Sequence, residues 1–214
     1  MYKVQHIPTN NWFALKEIPL NKYKSDIELR ITQNILHENI THSVASELDE
    51  QNQVMKILMP LADDSLSHYI DTLHNNDQFS KDNLERQIQR YATQVLNGIN
   101  YLHDNMIVHA DIKCDNVLLF NNHSTARITD FGSSIVLQND GLINARQMIG
   151  TCDHLAPETI FHCQLGKQSD IWSFGCMLLS MFTNTSPWQP LISTIPAPNP
   201  MNIAFKIGTQ EIGR

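Results

Sequence analysis

The sequence predicts an α+β fold, with a small β-rich part over residues 1–60 and a larger, mainly helical part over 61–214. Three observations carry this. The first 60 residues hold short apolar runs of strand character around one stretch of helical spacing. Leu84, Ile88, Tyr91, Val95, Ile99 and Leu102 then step by three or four residues, the stripe of a long amphipathic helix. Further on, Trp172, Phe174, Met177, Leu178 and Met181 mark a buried helix.

Taken in order, Met1 to Pro8 alternates polar and apolar residues, and Pro8 to Asn11 forms a turn. Trp12-Phe13-Ala14-Leu15-Lys16 follows as a strand. Ser25 to Leu36 has helical spacing at Ile27, Ile31 and Ile35, and Ser25-Asp26-Ile27-Glu28 is also a capping box. Val54 to Leu61 is another apolar run, closed by Asp63-Asp64. Past the long helix, Val117 to Phe120 and Ala126 to Thr129 are short strands around the turn at Asn121-Asn122. Ser169 is the expected N-cap of the buried helix. Pro187, Pro190, Pro196, Pro198 and Pro200 mark a loop, and a short helix is expected from Asn199-Pro200 to Gly208.

With 214 residues and 42% hydrophobic content, the chain can bury a core of one or two domains. A net charge of -7 and a pI near 5.7 argue against a general nucleic-acid binder, which would show a basic excess. Cys114, Cys152, Cys163 and Cys176 include no C-x-x-C pair, and the start does not resemble a signal peptide. The longest nearly apolar run, Phe174 to Phe182, is far short of a membrane span. A reduced, cytoplasmic protein is the default expectation. Cys152-Asp153-His154 and His162-Cys163 carry zinc-binding residue types, but their spacing matches no common finger.

The chemistry concentrates in His109-Ala110-Asp111-Ile112-Lys113-Cys114-Asp115-Asn116, with Asp130-Phe131-Gly132 following. Phosphoryl transfer to a hydroxyl needs a carboxylate near the hydroxyl proton, oxygen ligands for Mg²⁺ and a cation near the phosphates. Asp111, then Asn116 with Asp130, then Lys113 supply these in turn. The stretch resembles the catalytic loop H-R-D-x-K-x-x-N and the D-F-G metal loop of eukaryotic protein kinases. Ala156-Pro157-Glu158 and Asp170-Ile171-Trp172-Ser173-Phe174-Gly175 follow in the order of that family's later motifs.

The resemblance implies a two-lobed kinase fold and an ATP- and Mg²⁺-dependent transfer to a Ser or Thr acceptor of a protein substrate, with no nucleic-acid partner and no membrane span. Asp111 becomes the catalytic base, with Lys113 steadying the transferring phosphate and Asn116 and Asp130 as Mg²⁺ ligands. Lys16 resembles the V-A-I-K lysine that holds the α- and β-phosphates. Ala14 and Leu118 would sandwich the adenine. Leu58 would be the gatekeeper, and the backbones of Met59 and Leu61 would form the hinge hydrogen bonds. Glu28 either pairs with Lys16 or caps its own helix through the Ser25 backbone N–H. Lys113 and Thr151 resemble serine/threonine kinases. Phe13-Ala14-Leu15-Lys16-Glu17-Ile18, Gly150 to Glu158, Ser169 to Cys176 and Met201 to Gly208 are similar to the mitogen-activated protein kinase kinase kinases, which implies a signalling cascade.

Several positions depart from the family pattern. Ala110 stands where an arginine usually binds a phosphorylated activation loop. Phosphorylation at Ser133, Ser134 or Thr151 would therefore lack its main local anchor, and activity is expected to depend little on it. No Gly-rich phosphate loop is present, and the last helices of the larger lobe are expected to be absent, so both lobes read as incomplete. Glu158 is expected to be buried without its usual arginine partner. Thr32 and Ser43 put polar groups in the apolar spine behind the Glu28 helix. A working kinase known from a fragment and a catalytically impaired pseudokinase acting as an interaction module are both compatible with these residues.

Overall fold

The computed structural model describes residues 1–20, 27–76, 78, 80–138, 141–145, 148–196 and 198–209. It has the expected two-lobed α+β architecture, a β-sheet lobe followed by a helical lobe. The sheet is built from β1 (Tyr2–His6), β2 (Asn11–Pro19), β3 (Ala45–Asp49) and β4 (Val54–Pro60), with helix α1 (Ile27–Asn34) between β2 and β3. Its strand order is β1-β2-β4-β3, all pairs antiparallel. The capping box at Ser25 falls outside the described residues, so α1 is seen only from Ile27 onward.

The register of β2 on β4 decides which side chains face α1. Ala14 pairs with Met59, Leu15 with Leu58 and Lys16 with Ile57. Side chains alternate across a sheet, and Met55, Ile57 and Met59 are buried against Leu29 of α1. Ala14 and Lys16 thus share that face, whereas Leu58 turns to the other one, in a groove with Leu15 and Ala45. The gatekeeper expectation for Leu58 is corrected: Leu58 is on the opposite face from Lys16, whereas Met59, paired with Ala14, shares the Lys16 face. The run Val54 to Pro60 carries apolar residues on both faces, broken only by Lys56 on the Leu58 face, so hydrophobicity alone does not show the inward side.

The second lobe begins with β5 (Asp64–Ser65) and α2 (Leu66–His74), followed by the long helix α3 (Lys81–Asp104). Ser80 caps α3 by accepting from Asn83 N–H. The predicted stripe is buried: Ile88, Tyr91, Val95, Ile99 and Leu102 pack with Leu66, Ile70 and Leu73 of α2 in the main core. Each such fully buried side chain contributes about 1.5–3 kcal/mol. Gly98 lets α3 approach the chain closely, because a Cβ there would meet Asn39 O at 2.9 Å.

Short elements follow. They are β6 (Ile107–Val108), the hairpin β7 (Val117–Phe120) and β8 (Thr125–Ile128), then β9 (Ile135–Val136), β10 (Ile143–Asn144), α4 (Pro157–His162) and β11 (Gln164–Leu165). The chain then forms α5 (Lys167–Thr183), α6 (Gln189–Ile192) and α7 (Pro200–Gly208). Helix α7 starts as predicted, with the Asn199 side chain accepting from Asn202 N–H at 2.9 Å. Helix α5 starts earlier than predicted. Gly166 is its N-cap, and Ser169 sits in the first turn, accepting from Gly166 N–H at 3.3 Å.

Phe174, Met177 and Met181 bring α5 into the main core beneath the hairpin. Thr32 is buried without an orphaned hydroxyl, since it donates back to Glu28 O at 2.9 Å, and Ser43 N–H donates to Thr32 O at 2.9 Å. Among the described residues no helix is long and apolar enough to cross a membrane.

Candidate active site

The hairpin β7–β8 fixes the geometry of the loop at Asp130. Val117 pairs with Ile128, and Thr129 N–H donates to Asn116 O at 2.9 Å. That register brings Asn116 beside Asp130 at the open end of the hairpin. Asp130 is left-handed at φ 63, and Phe131 behind it is buried against the His109 ring, 5.2 Å between centroids. His109 Nε2 lies 2.9 Å from Thr129 O, and its Nδ1 accepts from Asp111 N–H at 3.3 Å, which fixes the proton on Nε2.

Three polar residues converge on one carboxylate. Asn116 Nδ2 donates to Asp111 Oδ2 at 2.9 Å and to Asp111 O at 2.8 Å. Thr151 Oγ1 donates to Asp111 Oδ1 at 2.6 Å and accepts from Lys113 Nζ at 2.7 Å. Lys113 Nζ stands 3.4 Å from Asp111 Oδ2. With its amide nitrogen committed to Asp111, Asn116 has its oxygen left to face a cation.

From the sheet lobe, Lys16 Nζ reaches Glu28 Oε1 at 2.6 Å and Asp130 Oδ1 at 2.9 Å. Of the two roles open to Glu28, the Lys16 pair is therefore formed, with Glu28 itself buried. Burial alone would lower the Lys16 pKa, but the charges and hydrogen bonds of Glu28 and Asp130 outweigh it and raise it above 10.5. Burial likewise pushes Asp130 upward, and the Lys16 charge reverses this, leaving it below 3.8.

The sign of the linkage follows from these directions. The Asp130 contribution is present above about pH 4 and is lost as pH falls through its depressed folded value. The Lys16 contribution is full below 10.5 and is lost as pH rises through the raised folded value. An Asp130→Asn variant should accordingly lose less melting temperature than the parent between about pH 5 and pH 2. Equal acid slopes for the two proteins in a thermal melt would contradict that assignment.

The remaining predicted residues are on β2, at the end of β4 and on β7. Leu118 is the one side chain of β7 that is not buried, and Ala14 faces the same side as Lys16. Met59 lies inside the ladder. Because Leu58 O accepts from Val44 N–H at 2.7 Å, the neighbouring Met59 backbone turns toward β2, and only its side chain is turned to the α1 side. Leu61 follows the end of β4.

Asp170 was recognised in its motif, but its role was not. Its carboxylate is 0% exposed and accepts from His109 N–H at 2.9 Å, Ala110 N–H at 2.8 Å and the His103 ring, with Nε2 at 2.8 Å. It grips the backbone immediately before Asp111. Nothing local could have revealed this, since the loop and α5 lie about sixty residues apart. Glu158 is half-buried, not buried, and accepts from Ser169 Oγ at 3.1 Å in place of an arginine.

Among the described residues no group of three or more His, Cys, Asp or Glu side chains could hold a metal ion. All four cysteines are free; burial pushes Cys114 and Cys176 up to about 12 and raises Cys152 as well, so these three rest as thiols near neutral pH.

Comparison with known proteins matches the protein kinase domain model to residues 1–205. The chain is 35% identical over 208 residues to mitogen-activated protein kinase kinase kinase 5 of Homo sapiens, covering 93% of this chain and 14% of the relative. It is 30% identical over 219 residues to mitogen-activated protein kinase kinase kinase nsy-1 of Caenorhabditis elegans, covering 97% of this chain and 14% of that protein. The chain thus spans about a seventh of the length of these curated relatives. A chain in the crystal structure of the yeast RNA Pol II CTD kinase CTDK-1 complex superposes with a TM-score of 0.74 at 25% identity, covering 96% of this chain and 64% of the other.

Proposed function

We propose that this chain, which belongs to the protein kinase family, transfers the γ-phosphate of Mg²⁺-ATP to serine or threonine hydroxyls of a protein substrate. The observation that carries the proposal is the Asp111 carboxylate held between Asn116, Lys113 and the Thr151 hydroxyl. Similarity to the mitogen-activated protein kinase kinase kinases supports a place in a cytoplasmic signalling cascade. In this proposal residues 1–60 form the nucleotide-covering lobe and 61–214 the substrate-facing lobe.

The donor set fits the cofactor. Mg²⁺ prefers a few hard oxygen ligands and keeps several waters, and the Asp130 carboxylate and the Asn116 amide oxygen are such ligands. Lys16 would hold the nucleotide's phosphates, with Glu28 keeping its ammonium charged and in place. Ala14 and Leu118 would take the two faces of the base, the Met59 side chain would lie at its edge, and the free backbone from Leu61 would meet its polar rim. Mg²⁺-ATP, when bound, supplies an electrophilic phosphorus and a leaving group with its charge neutralised.

The chain's own residues do the rest. Asp111 accepts the O–H of Thr151, so an incoming serine or threonine hydroxyl of like chemistry can be oriented by the same carboxylate. Asp111 then takes that proton as the oxygen attacks. Lys113, 2.7 Å from Thr151 Oγ1, puts a positive charge beside the acceptor, where negative charge moves during transfer.

A thermal melt with Mg²⁺-ATP tests the nucleotide site. At about 100 times Kd, binding should stabilise the chain by about 2.7 kcal/mol, or roughly 5–10 °C in Tm. Asp130→Ala should remove most of that shift. No shift in either protein would leave the interaction-module alternative standing and the kinase proposal refuted.

A further inference from the structure

A cavity of about 300 Å³ in the helical lobe adjoins the contact between Lys113 and Thr151. Its walls come from α2, the loop after Asp111, the turn at 151–154 and the end of α5. His154 N–H closes that turn by donating to Thr151 O at 2.8 Å, and the Ser173 hydroxyl of α5 donates to His154 O at 2.8 Å. Lys113 lines the cavity, and its Nζ stands 2.7 Å from Thr151 Oγ1 and 3.4 Å from Asp111 Oδ2. The cavity is therefore directly beside the place of the acceptor hydroxyl.

Its uncommitted polar groups are acceptors. Asp115 is exposed and makes no hydrogen bond or ion pair among the described residues. The Asp153 carboxylate accepts from the Ser186 hydroxyl at 2.7 Å and from the His154 ring, with Nδ1 at 3.0 Å. Burial pushes the Asp153 carboxyl up, but these hydrogen bonds reverse that and leave it below 3.8, so it is charged at neutral pH. A carboxylate only accepts, so the proton of the neutral His154 ring is on Nδ1 and a lone pair is left on Nε2. His154 is 8% exposed, lines the cavity, and has no partner for Nε2 among the described residues. Such a lone pair is costly to bury unless a donor meets it. The ammonium of Lys113 is already shared by Asp111 and Thr151. Two carboxylates are thus left without a counter-charge, beside an apolar strip of Ile70 and Cys114.

We propose that this cavity binds an arginine or lysine side chain of the protein substrate, a few residues from the acceptor, and so selects basic sequences. The proposal rests on the kinase reading above and concerns the substrate class of that site. The methylene stem of such a side chain lies along Ile70 and Cys114. Its head donates and never accepts, which matches Asp115, Asp153 and the His154 lone pair. Arginine suits the cavity better than lysine, because its planar fork of N–H groups can serve several acceptors at once. An acidic side chain would meet two carboxylates, and an apolar one would leave the carboxylates and the imidazole unpaired. The net charge of -7 also favours the approach of a basic segment.

Serine peptides of otherwise neutral sequence, each with one arginine at a chosen distance from the serine, test this on the 214-residue chain. Binding is read without nucleotide, from the amide chemical shifts of Ile70, Asp115 and His154 on titration. At one distance, or at two neighbouring ones, arginine should bind about tenfold tighter than glutamine at the same place. Lysine should fall between them, and glutamate should bind no tighter than glutamine. Asp115→Asn and Asp153→Asn should each pull the arginine-to-glutamine ratio toward one. Asp115 holds nothing in the fold, so its variant stays folded even where Asp153→Asn does not. Equal affinity for arginine and glutamine at every distance, or a ratio unchanged in both variants, would overturn the proposal. With Mg²⁺-ATP present, the same ratio should appear in kcat/KM and be carried by KM. A chain that binds the arginine peptide but shows no Mg²⁺-ATP shift keeps the basic-peptide site and loses the kinase reading. A chain that phosphorylates arginine and glutamine peptides equally well keeps the kinase reading and loses this site.

Discussion

Asp111→Asn is expected to lower phosphoryl transfer by about 10²–10⁴-fold in kcat, with nucleotide binding retained. The substitution keeps the size of the side chain and removes only its charge and its ability to take a proton. The structural contacts around it survive in large part. Asp111 N–H still donates to His109 Nδ1, and Asn116 Nδ2 still donates to the residue's carbonyl at 2.8 Å. Lys16 bonds to Glu28 and to Asp130, and these contacts do not involve Asp111. A Mg²⁺-ATP thermal shift should therefore persist in the variant. What is lost is the oxygen that accepts from Thr151 and the only carboxylate in that network. Steady-state assays with a serine-containing protein substrate read the loss as a fall in kcat with little change in the KM for ATP. Asn activity within about tenfold of the parent would assign the proton to another group.

The parts of this site that were legible in the sequence are those set by short spacing. His109 to Asn116 folds into one loop, and the position of Asp111 relative to Lys113 and Asn116 follows from their separation by two and five residues. The α3 stripe was equally plain, because its polar face is long and unbroken. Four features were not legible, each for a physical reason. Strand β3, Ala-Ser-Glu-Leu-Asp, has weak strand propensity and exists because β4 offers it an edge. Helices α2 and α4 are nine and six residues long, too short for periodicity to stand out from their surroundings. The inward face of β4 is offset by one residue from the gatekeeper expectation, and a shift of one reverses every side chain. The grip of Asp170 and the cavity beside Lys113 depend on segments far apart in sequence, and only the folded backbone brings them together.

Asp170→Ala should be the most destabilising single change in the chain, by about 3–5 kcal/mol, the range for removing one partner from a buried, paired charge. Three donors would be left without an acceptor, two of them backbone N–H groups with no route to water, since the site of the lost carboxylate is fully buried. The His103 ring would lose its partner too. Asp170 is also placed in the first turn of α5, where the helix N-terminus favours a negative charge. Its loss would further free Ala110 from a left-handed conformation at φ 65, which costs an alanine about 1–2 kcal/mol and is maintained while its N–H is bonded to Asp170. Asp170→Asn should cost less, because one amide oxygen can still accept while its NH₂ meets a donor. The expected order in thermal melts is therefore parent, Asn, Ala, with the Ala variant lowered by about 6–20 °C in Tm. Asp170 acts on the reaction only as a positioning residue. The Asn variant should accordingly show faster amide exchange at His109 to Asp111 and a lower kcat, with its Mg²⁺-ATP shift unchanged. An Ala variant within about 1 kcal/mol of the parent would mean that water or a moved side chain replaces the carboxylate. The loop carrying Asp111 would then be held by something other than α5.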